Sequence, residues 1–400
     1  MITSARCRVA VVASHPIQYF TPLYQRLARH PEIDLDVFFC RDYGVRAQFD
    51  KQFNQTVAWD TDLLSGYKHR FLWSASPIRD TFNPLHAINP GAFTRLLAGY
   101  DAVWMNGYLY PSNWFAAAAA ALRNTRVLVR SELRLMNRPR RWFDAVRDSV
   151  IRSWIRHADA LLYIGEANRE AYMYYGASDA QLHFVPYAAD VDRLQLARRR
   201  ISARRTDACR EWSLPTDRII VLFVGKLFEK KQPAAMVHLA SHPLLVSKIH
   251  IAVAGSGPQS ESLQDEARRL GLTNVTWCGF VNQTKLPELY ALADIYVMPS
   301  LWETWGLVLN EAMAAGAAPV ASSDVSATRD LIRNGETGFT FAPRDWDALA
   351  QHVARLVDDA ELRQRIGRAA QVRSASYSYD AAVHGILGAL SSFGLCASAA

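Results

Sequence analysis

Glu303 and Glu311 stand eight residues apart in an otherwise apolar stretch, SLWETWGLVLNEAMAAGAAPV, from Ser300 to Val320. The strand DIYVMP ends at Pro299, a loop runs to Trp305, and Gly306 opens a helix. The amides of Gly306 and Leu307 are then helix-start donors suited to an anion such as phosphate. Glu303 sits in the loop, and Glu311 lies along the helix wall. Two carboxylates flanking a phosphate seat could hold hydroxyl groups on either side of it, as a sugar and a ribose joined by a pyrophosphate present them. The structural alternative is a solvated loop acid and one end of a surface ion pair.

A second constellation lies upstream in VLFVGKLFEKKQP, where Gly225 ends a buried run and Lys226 and Lys231 follow before a helix start. Two ammonium groups beside a helix N-terminus suit a pyrophosphate. A basic surface loop is the alternative, since lysines are common on surfaces. In AVAGSGPQS, Gly255 and Gly257 follow another apolar run, but Ser260 holds the place of the third glycine of the dinucleotide fingerprint. That argues against a nicotinamide site, and the glycines read as a tight turn.

These groups need strands to carry them. Short runs rich in Val, Ile and Phe predict strands at 9–13, 34–39, 102–105, 127–130, 160–164 and 183–186, with helices at 22–29, 114–123 and 142–157. The pattern restarts with strands at 219–224, 250–254, 275–278, 295–298 and 318–321 and helices at 233–241, 260–270, 285–292, 306–315 and 346–358. Runs buried on both faces and alternating with helices imply parallel sheets covered on both sides. Between the halves, DVDRLQLARRRISARRTDACREW carries seven arginines from Arg193 to Arg210 and reads as a polar junction starting near Asp190. The expected division is 1–190, 191–376 and a closing segment 377–400, whose helix 379–393 follows the second sheet. Two such α/β domains would face each other across a cleft at the carboxyl ends of their strands.

Composition agrees with a folded, two-domain chain: 400 residues, half of them hydrophobic, with a net charge of +7. Five widely spaced cysteines (Cys7, Cys40, Cys209, Cys278 and Cys396) form no C-x-x-C pair, so a disulfide framework and a structural zinc site find no support. The apolar start, 9–13, is too short for a signal peptide, and no run reaches the roughly 20 apolar residues of a spanning helix. A cytoplasmic location, extending to the inner face of the membrane, is expected.

The ordered series VGKLFEKK, AGSGP, WCGFV, LYALADIYVMPS, ETWGLVLNEAMAAGAAPVAS and DLIRNGETGF resembles the retaining family-4 glycosyltransferases, which have the GT-B fold of two facing Rossmann-like domains. The E-x-x-G-x-x-x-x-E pattern Glu303–Gly306–Glu311 is its most specific element. In the first half, SHPIQYFTPLYQRLA resembles a first βα turn of some bacterial members, and HADALLYIGEANREAYMYYGASDAQLHFVPYAADVDR resembles the passage between domains. The resemblance implies that Glu311 binds the ribose of a nucleotide-sugar donor, that Glu303 contacts the donor sugar, and that Gly306 and Leu307 offer amides. It implies that Lys226 and Lys231, beside Gly225, stabilise the departing nucleoside diphosphate, and that Gly279, Phe280 and Val281 read the base. Transfer with retention, by front-face substitution and without metal or cofactor, is what the family does, and no D-x-D triplet follows a strand in the expected cleft. The acceptor is a glycan, a lipid-linked sugar or a small molecule. A sugar-nucleotide epimerase on the same architecture and a non-catalytic nucleotide-sugar-binding protein are the alternatives.

The first half departs from the family. His15 and Gln18 occupy the turn where many relatives have Gly-Gly, while Asn106, Tyr108 and Glu132 follow later strands on the acceptor side. His15 reads equally as a cap of the following helix. A second arginine cluster, Arg138, Arg140, Arg141, Arg147, Arg152 and Arg156, is interleaved with Trp142, Phe143 and Trp154. A peripheral contact with an anionic membrane is one reading; aromatics packed on the sheet with arginines in water is the favoured one. Nucleic acid is not expected, because no binding module accompanies the charge.

Overall fold

The computed structural model describes residues 6–78, 83–135, 141–142 and 144–397. The chain forms two compact units, one of Asp62–Pro186 with the residues up to Arg46 and from Tyr379 onward, the other of Ala47–Thr61 and Tyr187–Ser378. Residues 47–61, which the sequence reading keeps in the first domain, cluster with the second unit.

In chain order the first strands are β1 (Cys7–Ala13) and β2 (Ile33–Phe39), then the antiparallel hairpin β3 (Gln48–Asp50) and β4 (Gln55–Val57) of the second unit, then β5 (Lys68–Phe71), β6 (Ala102–Asn106), β7 (Arg126–Arg130), β8 (Ala160–Tyr163) and β9 (Leu182–Phe184). The first unit is a seven-stranded parallel sheet in the order β5-β2-β1-β6-β7-β8-β9. Its central strands are apolar because both faces are covered. The six-alanine run lies in the helix Pro111–Arg123, where buried Ala116, Ala119 and Ala120 bring the helix backbone close to the sheet. The helix Tyr379–Ser391 packs on this unit too. A Cβ at Gly385 would lie 2.0 Å from the Phe184 carbonyl oxygen, so only glycine permits that approach.

The second unit holds β10 (Ile219–Val224), β11 (Ile249–Ala254), β12 (Val275–Gly279), β13 (Ile295–Met298), β14 (Ala318–Ser322) and β15 (Phe339–Phe341), all parallel, in the order β12-β11-β10-β13-β14-β15. Successive connections from β10 run to one side of the sheet, and β13 restarts on the other. The strand order therefore reverses between β10 and β13, where open α/β sheets leave a crevice at their carboxyl ends. The first unit has the same reversal between β1 and β6.

The basic segment after Asp190 is not an irregular junction. It folds into the helices Val191–Ser202 and Arg205–Glu211. Its arginines meet the C-terminal carbonyls of the helix Leu286–Leu292: Arg198 donates to Ala291 O and Arg205 to Leu292 O at 2.9 Å, while Arg205 pairs with Asp294 at 2.8 Å. Cations at a helix C-terminus satisfy its orphan carbonyls and its dipole. The charge run fixes one helix to another, which is why its polarity misleads.

Candidate active site

Three loops of the second unit lie against one another backbone to backbone. The amide of Gly225 donates to Ala254 O, that of Leu227 to Ser256 O and that of Gly255 to Gly279 O, at 3.0, 2.9 and 2.7 Å. A Cβ at Gly255 would sit 1.8 Å from the Gly225 carbonyl oxygen, and one at Gly257 2.5 Å from Leu227 O. These glycines therefore allow two loops to touch, a closer role than the tight turn expected. Gly255→Ala forces the loops apart, with an expected loss of about 1–3 kcal/mol of stability, read as a lowered melting temperature.

The loop after β10 and the loop after β13 flank the strand-order reversal and converge through charge. Lys231 Nζ lies 2.6 Å from Glu303 Oε1, and Lys230 Nζ lies 3.3 Å from Glu303 Oε2 and 3.8 Å from the Trp302 ring centre. Lys230 was not singled out in the sequence; its signal was its place beside Lys231 in the EKK step. Glu303 is buried, and its backbone is fixed by hydrogen bonds with Asp324 and Ser326. Burial alone would raise its carboxyl, but the Lys231 and Lys230 ammonium groups outweigh that and hold it below the usual carboxylate range. Glu303 is thus neither a solvated loop acid nor an unpartnered nucleophile; it organises two cations.

Gly306 precedes the helix Leu307–Ala314 at φ +110°, and a Cβ there would lie 2.8 Å from Val325 Cγ1. No side chain caps this helix start. Glu311 is not on a surface face: it is buried, and Tyr290 donates a hydrogen bond of 2.7 Å to its Oε2. Burial pushes its carboxyl up to about 7, against smaller lowering effects from Tyr290 and Arg193. Tyr290 lies 21 residues away and carries no sequence signal of its own.

The β3–β4 hairpin packs on these same loops. Lys226 Nζ meets Asp50 Oδ2 at 3.0 Å, Asp50 Oδ1 at 3.3 Å and Gln52 Oε1 at 2.9 Å. Burial draws the Lys226 ammonium below the ordinary lysine range against the pull of Asp50. Gly279 adopts φ +66°, and the half-buried Phe280 and Val281 follow it. Phe53 and Trp59 pack on Phe280 at centroid distances of 5.0 and 6.0 Å. So the structure brings Lys226 and Phe280 under one element that the sequence reading missed.

The acceptor-side candidates all belong to the first unit. His15 and Gln18 follow β1, Asn106 ends β6, Tyr108 follows it, and Glu132 follows β7; these strands are neighbours. His15 does not cap the following helix, whose cap residue Phe20 has no side-chain cap bond. Instead it meets Ser14 Oγ at 2.9 Å and the edge of Tyr43, and burial draws its ring down to about 4, so it is neutral at physiological pH. Burial raises the Tyr108 hydroxyl, and Glu132 is exposed.

In the second arginine cluster, Arg138, Arg140 and Phe143 lie outside the described residues. Arg147 pairs with Asp144 and Asp148 at 3.0 and 2.9 Å, and Trp154 is buried against Trp114 of the helix Pro111–Arg123. Trp142 is exposed. Among the described residues no helix is long and apolar enough to cross a membrane. Among them the metal-ligating groups that gather are His238, His242 and the exposed Asp347, with ligand atoms within 4.8 Å of one another.

Residues 205–373 match the family model for glycosyl transferases group 1, and residues 16–188 match that for the glycosyl transferase 4-like domain. The D-inositol 3-phosphate glycosyltransferase of Streptomyces scabiei is 33% identical over 239 residues, covering 56% of this chain and 52% of the relative, so the chain spans about half that relative's length. The alpha-D-kanosaminyltransferase of Streptomyces kanamyceticus is 30% identical over 277 residues, covering 67% of this chain and 70% of the relative. The Anabaena HepE structure, solved in complex with UDP, superposes with a TM-score of 0.71 at 16% identity, covering 96% of this chain and all of that one. Two parallel α/β units, the Glu303–Gly306–Glu311 spacing on a strand-order reversal and these matches agree: the chain belongs to the family-4, group 1 glycosyltransferases and has their GT-B fold.

Proposed function

We propose that the chain transfers a sugar from a nucleotide-sugar donor, with retention, to a glycan, lipid-linked or small-molecule acceptor. The observation that carries this reading is the convergence, at the β10/β13 reversal, of Lys226, Lys230, Lys231, Glu303 and an uncapped helix start. Three cations and free helix amides suit a pyrophosphate. Glu311 Oε1, opposite the oxygen engaged by Tyr290, accepts ribose hydroxyls. The Gly279–Val281 loop reads the base through its backbone. The first-unit residues His15, Gln18, Asn106, Tyr108 and Glu132 serve the acceptor.

In the reaction, the bond from the anomeric carbon to the donor phosphate oxygen lengthens, and positive charge builds on the sugar. The acceptor hydroxyl bonds to the anomeric carbon on the face the phosphate leaves, and its proton passes to a donor phosphate oxygen. The products are the glycoside and a nucleoside diphosphate. Lys231 and the Leu307 amide stabilise charge where it grows, on the departing phosphate. Glu303 holds Lys231 and Lys230 in place, so it takes no nucleophilic role. No metal is required in this reading, since basic side chains carry that load.

The test is a donor-dependent assay, starting from UDP-glucose because structures with this fold hold UDP-glucose and UDP, then extended to other bases. Release of nucleoside diphosphate with an α-configured product from an α-linked donor is expected, read by nuclear magnetic resonance. A β-configured product would refute retention, and no turnover with any donor would refute transfer. A pH dependence follows from Glu311. Its carboxyl, at about 7 in the free protein, must be ionised to accept ribose hydroxyls well. Nucleotide binding therefore tightens as pH rises from 6 toward 8 and levels off above the pKa. Calorimetric titration in Glu311→Gln should show that slope abolished.

A further inference from the structure

We infer that Asp50 is an internal anion that occupies Lys226 in place of the donor phosphates, so that the β3–β4 hairpin must release before Lys226 can serve the nucleotide. The inference rests on the nucleotide-donor reading above. An ammonium group has three N–H donors. Around Lys226 Nζ stand three oxygens within hydrogen-bond distance, two from Asp50 and one from Gln52, and the Phe53 ring lies 4.5 Å away on another side. No donor is left over for a phosphate oxygen. Lys231 differs: its one carboxylate partner is Glu303 Oε1, so it can take a phosphate oxygen while keeping that contact. The two lysines that the sequence treats alike are thus in different states.

The hairpin is built to hold Asp50 there. The amides of Gln52 and Phe53 donate to Asp50 Oδ1 at 2.8 and 3.0 Å, fixing the carboxylate before any lysine arrives. Outside that turn, Ser256 Oγ donates to Phe53 O at 3.0 Å and Asn282 Nδ2 donates to Ala58 O at 2.7 Å, while Asp60 accepts from the Thr284 amide. The Thr284 hydroxyl also donates to Asp60, the Asp60 amide donates to Asn282 Oδ1, and Phe53 and Trp59 pack on Phe280, while the strands are three residues each. A short hairpin held outside its own turn by side-chain hydrogen bonds and two ring contacts, around one charge pair, suits an element that lets go when a stronger anion competes. A pyrophosphate brings more charge than one carboxylate and, by engaging Lys231 first, is delivered beside Lys226.

The decisive property is a sign. If Asp50 competes with the donor, Asp50→Asn, which keeps shape and turn acceptor but removes charge, tightens nucleoside diphosphate binding by about three- to tenfold. The gain disappears in a Lys226→Ala background. Calorimetric titration of the wild type, both single variants and the double variant with UDP, GDP, ADP, TDP and CDP reads this directly. Hydrogen exchange on the wild type is the second arm: the amides of Asp60 and Thr284, whose bonds join the hairpin segment to the loop after β12, lose protection when nucleotide is added. Binding by Asp50→Asn that is weaker or unchanged, or a gain of protection in the hairpin, overturns the inference and makes the hairpin a fixed wall. Wild type and variants that all bind no nucleotide refute the donor reading, and this inference with it.

Discussion

Replacing Lys231 with alanine is expected to lower the transfer rate at saturating donor by about a hundredfold or more, the cost of removing one preorganised group at a developing oxyanion. Nucleotide affinity should fall far less, because the charge on the leaving phosphate grows only as the sugar bond breaks. The geometry sharpens this expectation. Lys231 is held at 2.6 Å by Glu303, itself buried and ionised, so the ammonium is positioned before the donor arrives. Comparing single-turnover rates with calorimetric affinities separates the two effects. Equal losses in rate and affinity would assign Lys231 to ground-state binding, and no loss in either would remove it from the reaction. Glu303→Gln tests the positioning role: it keeps an acceptor but loses the charge that orients both lysines, so its rate should fall with the donor affinity nearly kept.

The second large effect falls on Glu311. Glu311→Ala removes charge-assisted hydrogen bonds to the ribose, at a cost of about 1.5–3 kcal/mol, or roughly ten- to a hundredfold in nucleotide affinity. The substitution also empties a buried position and leaves the Tyr290 hydroxyl without its 2.7 Å acceptor, so the fold itself is weakened. Glu311→Gln separates the two consequences, because the amide oxygen still accepts from Tyr290. Loss of nucleotide affinity in both variants, with melting temperature lowered mainly in the alanine form, is the expected pattern. Unchanged affinity in Glu311→Gln would refute the ribose assignment.

The sequence was most legible where strands are buried on both faces. β10 and β13 stand in it as unbroken apolar runs, IIVLFV and IYVM, and their ends locate Lys226, Lys231 and Glu303. In the first unit β1, β6, β7 and β8 carry the same signal, whereas β5, KHRF, is polar and carries none. β15 is three residues long, and β3 and β4 are short and mostly polar, QFD and QTV, so no periodicity marks them. What the hairpin contacts was beyond reach for a different reason. Asp50 and Lys226 are 176 residues apart, and nothing in QFDKQF says which cation it will meet. The arginines after Asp190 misled because a charged run looks solvated, whereas helix-end carbonyls accept from two of them, Arg198 and Arg205. For Glu311 the spacing from Gly306 was visible, but its burial, which raises its carboxyl, and the Tyr290 hydrogen bond that partly offsets that rise come from tertiary packing.

The central claim is that the loops at the β10/β13 reversal bind a nucleotide. Its most direct test is a thermal-shift screen of the full chain against UDP, GDP, ADP, TDP and CDP, repeated on Glu311→Gln. A ligand that binds the folded state stabilises it by an amount set by its concentration over its Kd, about 2.7 kcal/mol at a hundredfold excess. One base should raise the wild-type melting temperature, and Glu311→Gln should lose most of that rise. Silence from every nucleotide at millimolar concentration would contradict the claim.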